Sequence, residues 1–203
     1  MRGTAGGDPR VYREWDSALR RTFGGGLGGV PVTVSAAGYG AGWALADPTG
    51  RVQPDASGVA YANVVYLDDL SRHAELAAGR WATPGASPPQ ATLAEPAARL
   101  LGLGAGDPVP LADRRTGRIT EVLITGVWRV RAAGDPYWRL APDVRTGVAP
   151  QSATYGPLVV DRADFADRFA VSESVAWQNT PDLDQATLGQ LERAAAAAAA
   201  AGA

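Results

Sequence analysis

The chain has 203 residues, enough for one domain with a real core or for two small lobes, and its 46% hydrophobic and 20% charged content is ordinary for a globular protein. A net charge of -2 leaves no basic field to condense on nucleic acid or anionic lipid. Cysteine is absent, which excludes disulfides, thiolate metal sites and a cysteine nucleophile.

All 19 cationic residues are arginine, and they are scattered; with 25 glycines this reads as the mark of a GC-rich coding sequence rather than as a set of anion sites. No run of about 18 apolar residues occurs, so no membrane span is expected inside these residues. The N-terminus lacks a basic segment followed by an apolar one, so it does not read as a signal peptide. Either the protein is cytosolic or its membrane segments lie outside this chain.

Asp8-Pro9 opens a predicted helix, with Asp as N-cap and Pro at the first helical position. Val11, Trp15, Ala18, Leu19 and Phe23 recur at three- and four-residue steps as its apolar stripe, and Gly24 ends it. A flexible glycine run follows, Gly24–Gly29. Strands are predicted at Val30–Ala36, Gly42–Ala46 and Val59–Leu67, with Asp47-Pro48-Thr49-Gly50 as a type I turn. A short helix capped by Asp68 or Asp69 is expected to run up to Gly79.

After the proline-rich loop Pro84–Pro89 come a strand at Gln90–Leu93 and a short helix from Glu95-Pro96 to Gly102. Val109–Leu111 and Ile119–Arg131 read as a hairpin through Arg114–Gly117. Its long arm carries Val122, Ile124, Trp128 and Val130, assigned to one face, and Gly126 signals a bulge. Asp135–Gln151 has no periodicity and reads as a surface loop. A strand at Leu158–Val160, an Asp161-capped helix to Phe169, a strand at Val171–Trp177 and a helix from about Thr180–Asp184 into the alanine tract complete the order. Strand–helix alternation at both ends of the chain, around a hairpin-like middle, predicts an α+β fold. Residues 8–89 and 134–203 form its discontinuous α/β lobe and residues 90–133 an inserted β-rich lobe.

The chemical motifs are weak. Gly102-Leu103-Gly104-Ala105-Gly106 follows a helix and precedes a strand, the reverse of a dinucleotide loop, so it reads as a helix C-cap and turn. His73 is the sole histidine; Asp69, four residues earlier, would reach it on a helix, but a solvated helix face explains the pair equally well. Asp161, Asp164 and Asp167 are too few for a typical calcium shell, and capping accounts for Asp161. Trp81, Tyr137, Trp138 and Tyr155, with Arg80, fall in predicted loops and form a candidate interaction surface, since exposed aromatics suit sugar stacking or a protein interface. No catalytic residue, cofactor or metal is expected.

Three segments in order carry a family resemblance: Leu70–Trp81 with His73-Ala74-Glu75-Leu76 and Gly79-Arg80-Trp81, then Ala94–Leu103 with Gly106-Asp107, then Asp135-Pro136-Tyr137-Trp138. Thr125-Gly126-Val127 and Tyr155–Asp161 add to them, and together they span about Tyr61 to Asp184. This set resembles the extracytoplasmic, MacB-like domain of FtsX/MacB-type ABC transporter permeases, in the form common in high-GC Gram-positive bacteria. The resemblance implies a mixed α/β lobe near the membrane with a distal β-rich lobe. It implies that the N- and C-terminal helices pair side by side as a membrane-proximal stalk, with the Cα atoms of Trp15 and Leu191 within roughly 20 Å. It also implies a non-catalytic domain on the extracellular side of the cell membrane. Such a domain relays the cycle of a cytoplasmic ATPase, through membrane spans, to an external protein, lipoprotein or peptide client. The alternative is an extracellular carbohydrate- or cell-wall-binding module that uses the loop aromatics.

Overall fold

The computed structural model describes residues 2–3, 9–40, 42–46, 52–169, 174–184 and 186–201. Asp8, the 47–50 turn and the first residues of the Val171–Trp177 strand lie outside them.

The fold is α+β. Its strands are β1 (Arg2–Gly3), β2 (Val32–Tyr39), β3 (Trp43–Leu45), β4 (Tyr61–Leu67), β5 (Ala74–Gly79), β6 (Gln90–Ala94), β7 (Pro108–Ala112), β8 (Ile119–Val130), β9 (Thr154–Val160) and β10 (Ser174–Pro181). The helices are α1 (Pro9–Gly24), α2 (Leu70–His73), α3 (Glu95–Leu101), α4 (Arg162–Asp164, extended by a wider turn to Phe169) and α5 (Leu188–Ala201). Strands run in the order β1-β10-β2-β4-β3-β7-β8-β6-β9, and β9 returns to pair in parallel with β4. Six strands, β4, β3, β7, β8, β6 and β9, thus close a ring, and β2, β10 and β1 extend from it on one side.

The predicted strands in 30–36, 59–67, 158–160 and 171–177 share this sheet, as expected. The 90–133 segment is a correction. It was expected to stand apart, but β6 bonds to β9 and β7 to β3, so its strands complete the ring. Sequence adjacency suggested a hairpin lobe; the parallel β6–β8 pairing and the antiparallel β6–β9 pairing, both non-local, fuse it to the rest.

One core fills the ring, with Leu93, Leu111, Val122, Ile124, Leu158, Phe165 and Phe169 almost wholly buried. A second lies on the other sheet face around Val65, Trp128, Trp138, Leu140 and Val144. The two cores share strand β8 through a change of parity. Against β6 the pairing slips at Thr125–Gly126, as the bulge predicted, and against β5 it slips at Ala77, opposite Val127 and Trp128. An extra residue sends later side chains to the opposite face. Val122, Ile124 and Val127 therefore enter the ring core, while Trp128 enters the second, so the single-face assignment is corrected.

Three further expectations change. The helix expected up to Gly79 stops after one turn at His73, and Ala74–Gly79 is strand β5, because β8 offers it a hydrogen-bonding partner that outweighs the helix preference of Ala, Glu and Leu. The expected loop 135–151 contains two 3₁₀ turns, Pro136–Leu140 and Pro142–Arg145, whose Tyr137, Trp138, Leu140 and Val144 cap the second core. Among the described side chains of α1, Asp16 is buried and Trp15 is 40% exposed; of the expected stripe, Leu19 and Phe23 pack on the core, and Val11 lies outside the described side chains.

Helix α5 begins at Leu188 behind a capping box. Thr187 and Gln190 exchange side-chain-to-backbone bonds, and Thr180 belongs to β10. Its inward residue is Ala194, packed so tightly on Gly28 that a Cβ there would lie 2.3 Å from the Ala194 nitrogen. Gln190 and Arg193 donate to the Gly29 and Gly28 carbonyls. Helix α5 therefore meets the turn just after α1, while Leu188 and Leu191 stay exposed. The residues expected to line the facing stripes, Trp15 on α1 and Leu188 and Leu191 on α5, are exposed.

Candidate functional site

Gly79 and Gly126 are register partners across β5 and β8. Gly79 has φ 73°, and a Cβ on it would meet the Thr125 carbonyl oxygen at 2.1 Å. A Cβ on Gly126 would meet the Arg80 oxygen at 2.5 Å. The Arg80 amide donates to the Thr125 carbonyl at 2.8 Å, and the Gly106 amide to Ile124 at 2.7 Å. Ala105 completes the junction, 2.7 Å from that same Gly79 position. Three of the motif segments, 79–81, 102–107 and 125–127, thus converge on one close backbone crossing. Only glycine permits backbones to approach so nearly.

Beside this crossing lies the aromatic cap of the second core. Trp128 and Trp138 stack at 5.8 Å, and Tyr137 meets Trp138 edge-on at 5.0 Å. His73 stacks flat on Tyr137, with centroids 3.7 Å apart, and its Nδ1 lies 2.6 Å from the Asp135 carboxylate. Asp135 also accepts from the Tyr137 amide. Burial opposes its ionisation, but the His73 and Tyr137 hydrogen bonds outweigh burial and hold its carboxyl below the usual range. Burial, reinforced by the nearby Asp68, pushes the Tyr137 phenol upward, and its hydroxyl donates to the Asp68 carbonyl. Sequence spacing offered Asp69 to His73; the chain turns away after His73, and Asp69 pairs weakly with Arg72 instead. Asp135 was missed because the partner is 62 residues distant.

The carbonyl side of Asp68 leads to a part-buried charge cluster that joins α1, β4, α4 and β10. Asp16 accepts from Arg20, Arg162 and the Trp177 indole, at 3.0–3.1 Å. Arg20 also bonds Asp68 at 2.5 Å and the Val34 carbonyl at 2.8 Å. For Asp16, burial is outweighed by the Trp177, Arg20 and Arg162 hydrogen bonds, so its carboxyl is held low. For Asp68, burial outweighs the attraction of Arg162 and Arg20, so its carboxyl is pushed up. Alternating charges with every oxygen engaged make a clamp, not an open reaction site.

A groove of about 1180 Å³ lies beside the start of β4 and β9, lined by Tyr61, Asn63, Arg114, Tyr155 and the loops 53–56 and 148–154. Asn63 also lines a smaller adjoining cleft of about 160 Å³ that ends at Asp143. The Arg114 guanidinium sits 4.7 Å above the Tyr61 ring.

The candidate surface residues do not gather into one exposed platform. Tyr137, Trp138 and Tyr155 are buried, the first two in the second core and Tyr155 in the ring core, and Trp81 is half-buried against the second core. Tyr137 and Trp138 fold back from their turn over an apolar sheet face, which large aromatic rings favour, and Tyr155, expected in a loop, lies on strand β9. Arg80 is exposed but braces the proline-rich loop through Thr83 and Gln90. Asp161 caps α4, as expected; Asp164 is buried and accepts from the Gly85 amide. No group of three or more metal-ligating side chains occurs among the described residues.

No protein-family model matches the sequence, and no curated protein matches it significantly. Among solved structures the chain is similar to a domain from Porphyromonas gingivalis assigned provisionally to a permease protein. Sequence identity is 13% and the TM-score 0.37. The alignment covers 79% of this chain and 63% of the other, so the chain spans under two thirds of its length. Among the described residues, no helix is long and apolar enough to cross a membrane.

Proposed function

We propose that this chain is the extracytoplasmic domain of an ABC transporter permease of the FtsX/MacB type. It acts without catalysis, relaying the cycle of a cytoplasmic ATPase to an external protein, lipoprotein or peptide. The observation that carries the reading is the convergence at Gly79 and Gly126. Segments far apart in sequence, singled out by their order alone, meet at one crossing whose geometry demands their glycines. Motif residues that pack rather than react suit a mechanical part. The charge clamp tying α1 to β10 and α4 supports the same reading, because a relay must transmit displacement through stiff joints.

The burial of Tyr137, Trp138 and Tyr155 removes the aromatic platform on which the carbohydrate-module alternative rested. Affinity purification of the full-length protein from detergent-solubilised membranes tests the proposal. It should bring down an ATP-hydrolysing subunit in stoichiometric amount; recovery without any ATPase would refute it.

A further inference from the structure

The groove beside β4 carries a charge arrangement that the relay reading does not use. Its rim loop, Asp113–Arg118, holds Arg114, Arg115 and Arg118, while its carboxylate, Asp113, is occupied by the amides of Arg115 and Thr116. Asp55, across the groove, is likewise engaged by Ser57 and Val59. Among the described residues no carboxylate lies within ion-pair distance of Arg114. Its guanidinium lies over Tyr61, so one face is fixed and its N–H edge is left for a ligand.

Asn63 lies between Tyr61 and Val65 on the sheet face that carries the second core. It occupies the point where β9 slips against β4, and β4 changes partner there from β2, paired through Val65, to β3, paired through Ala62. Its half-buried side-chain amide has no hydrogen-bond partner among the described residues and borders both openings. An amide offers one donor and one acceptor side, the complement of a peptide unit. Pro54, Pro150 and Val148 supply apolar wall.

We propose that this groove binds an extended, acidic peptide segment of a partner protein, with Arg114 taking a carboxylate and Asn63 pairing with the peptide backbone. A neutral sugar would want the open Tyr61 ring face, which Arg114 covers. The proposal deepens the permease reading by naming how a client is held, and the test reads binding alone, so either can fail without the other.

The test is an NMR titration of the isotope-labelled 203-residue chain with three probes: acetyl-AEAPEA-amide, its counterpart with both glutamates replaced by glutamine, and tetragalacturonate. The acidic peptide should shift the Tyr61, Asn63 and Thr154 amides saturably. The glutamine peptide should bind about tenfold more weakly, as loss of a charge-assisted pair implies. Arg114→Ala should weaken the acidic peptide to a similar extent, and Arg114→Lys should restore part of the loss, since charge returns without the planar fork. Arg114 is exposed, so an unchanged thermal midpoint certifies the fold; should that variant not fold, the glutamine peptide on the unaltered chain decides. No saturable shift, equal binding of the two peptides, indifference to Arg114→Ala, or tighter binding of tetragalacturonate overturns the proposal.

Discussion

Asp16 on α1 and Trp177 on β10 are joined by a 3.0 Å hydrogen bond from the indole to a buried carboxylate, 161 residues apart in sequence. The same carboxylate holds Arg20 and Arg162, so one side chain fastens the first helix to the sheet and to α4. Asp16→Ala leaves two part-buried guanidiniums and an indole N–H short of an acceptor. It should cost about 1–2 kcal/mol in urea unfolding, less than for a fully buried pair, because both guanidiniums are over a third exposed and water can reach them.

The cluster also sets a pH dependence of definite sign. The Asp16 carboxyl is depressed in the folded state, so its contribution is fully present above the unfolded aspartate value, about 3.9, and is lost as pH falls through the lower folded value. Asp68 is raised in the folded state, so its ionisation works against folding as pH rises through its folded value. Stability measured from pH 7 to pH 2 should fall on the acid side, and Asp16→Asn should flatten that fall. Asp68→Asn should leave the acid fall at least as steep.

The backbone crossing makes a graded glycine series. Gly79→Ala adds left-handed strain of about 1–2 kcal/mol to a clash, for a total of roughly 3 kcal/mol. Gly126→Ala meets the Arg80 oxygen without that strain and should cost about 2 kcal/mol. Gly134→Ala meets nothing within 4 Å and should change stability by under about 0.5 kcal/mol. Chemical denaturation of the three variants gives the order directly.

Much of this fold is legible from residues alone. Alternation finds β2, β-rich apolar runs find β4 and β9, Glu95-Pro96 and Gly102 bracket α3, and Gly126 marks the bulge. What is not legible depends on partners far along the chain. Ala74–Gly79 has helix-forming residues and becomes a strand only because β8 lies beside it. Tyr137 and Trp138 lack periodicity because 3₁₀ turns present them to a sheet face assembled from β2, β4, β8 and β10. Asp16 looks like a solvated helix residue until Arg162 and Trp177 arrive from the other end of the chain.

The two stacked tryptophans should respond differently to trimming. Trp128 is wholly buried, and its indole nitrogen has no hydrogen-bond partner among the described residues. Trp128→Phe therefore removes an unsatisfied donor, worth about 1–3 kcal/mol, while opening a void of similar cost, so its net effect should be about 1 kcal/mol or less. The Trp138 indole donates to the Ala132 carbonyl at 3.1 Å, and Trp138→Phe should cost about 2 kcal/mol. Equal losses in thermal unfolding would contradict the assignment.

The placement of the domain outside the membrane is the claim on which the proposed role depends, and the absence of cysteine makes it measurable. Ala133→Cys places a thiol at an exposed position away from both cores. In intact cells carrying the full-length protein, a membrane-impermeant maleimide should label this variant, above the background of the unsubstituted protein, without permeabilisation. Labelling only after the cells are broken open would place the domain inside and contradict the permease account.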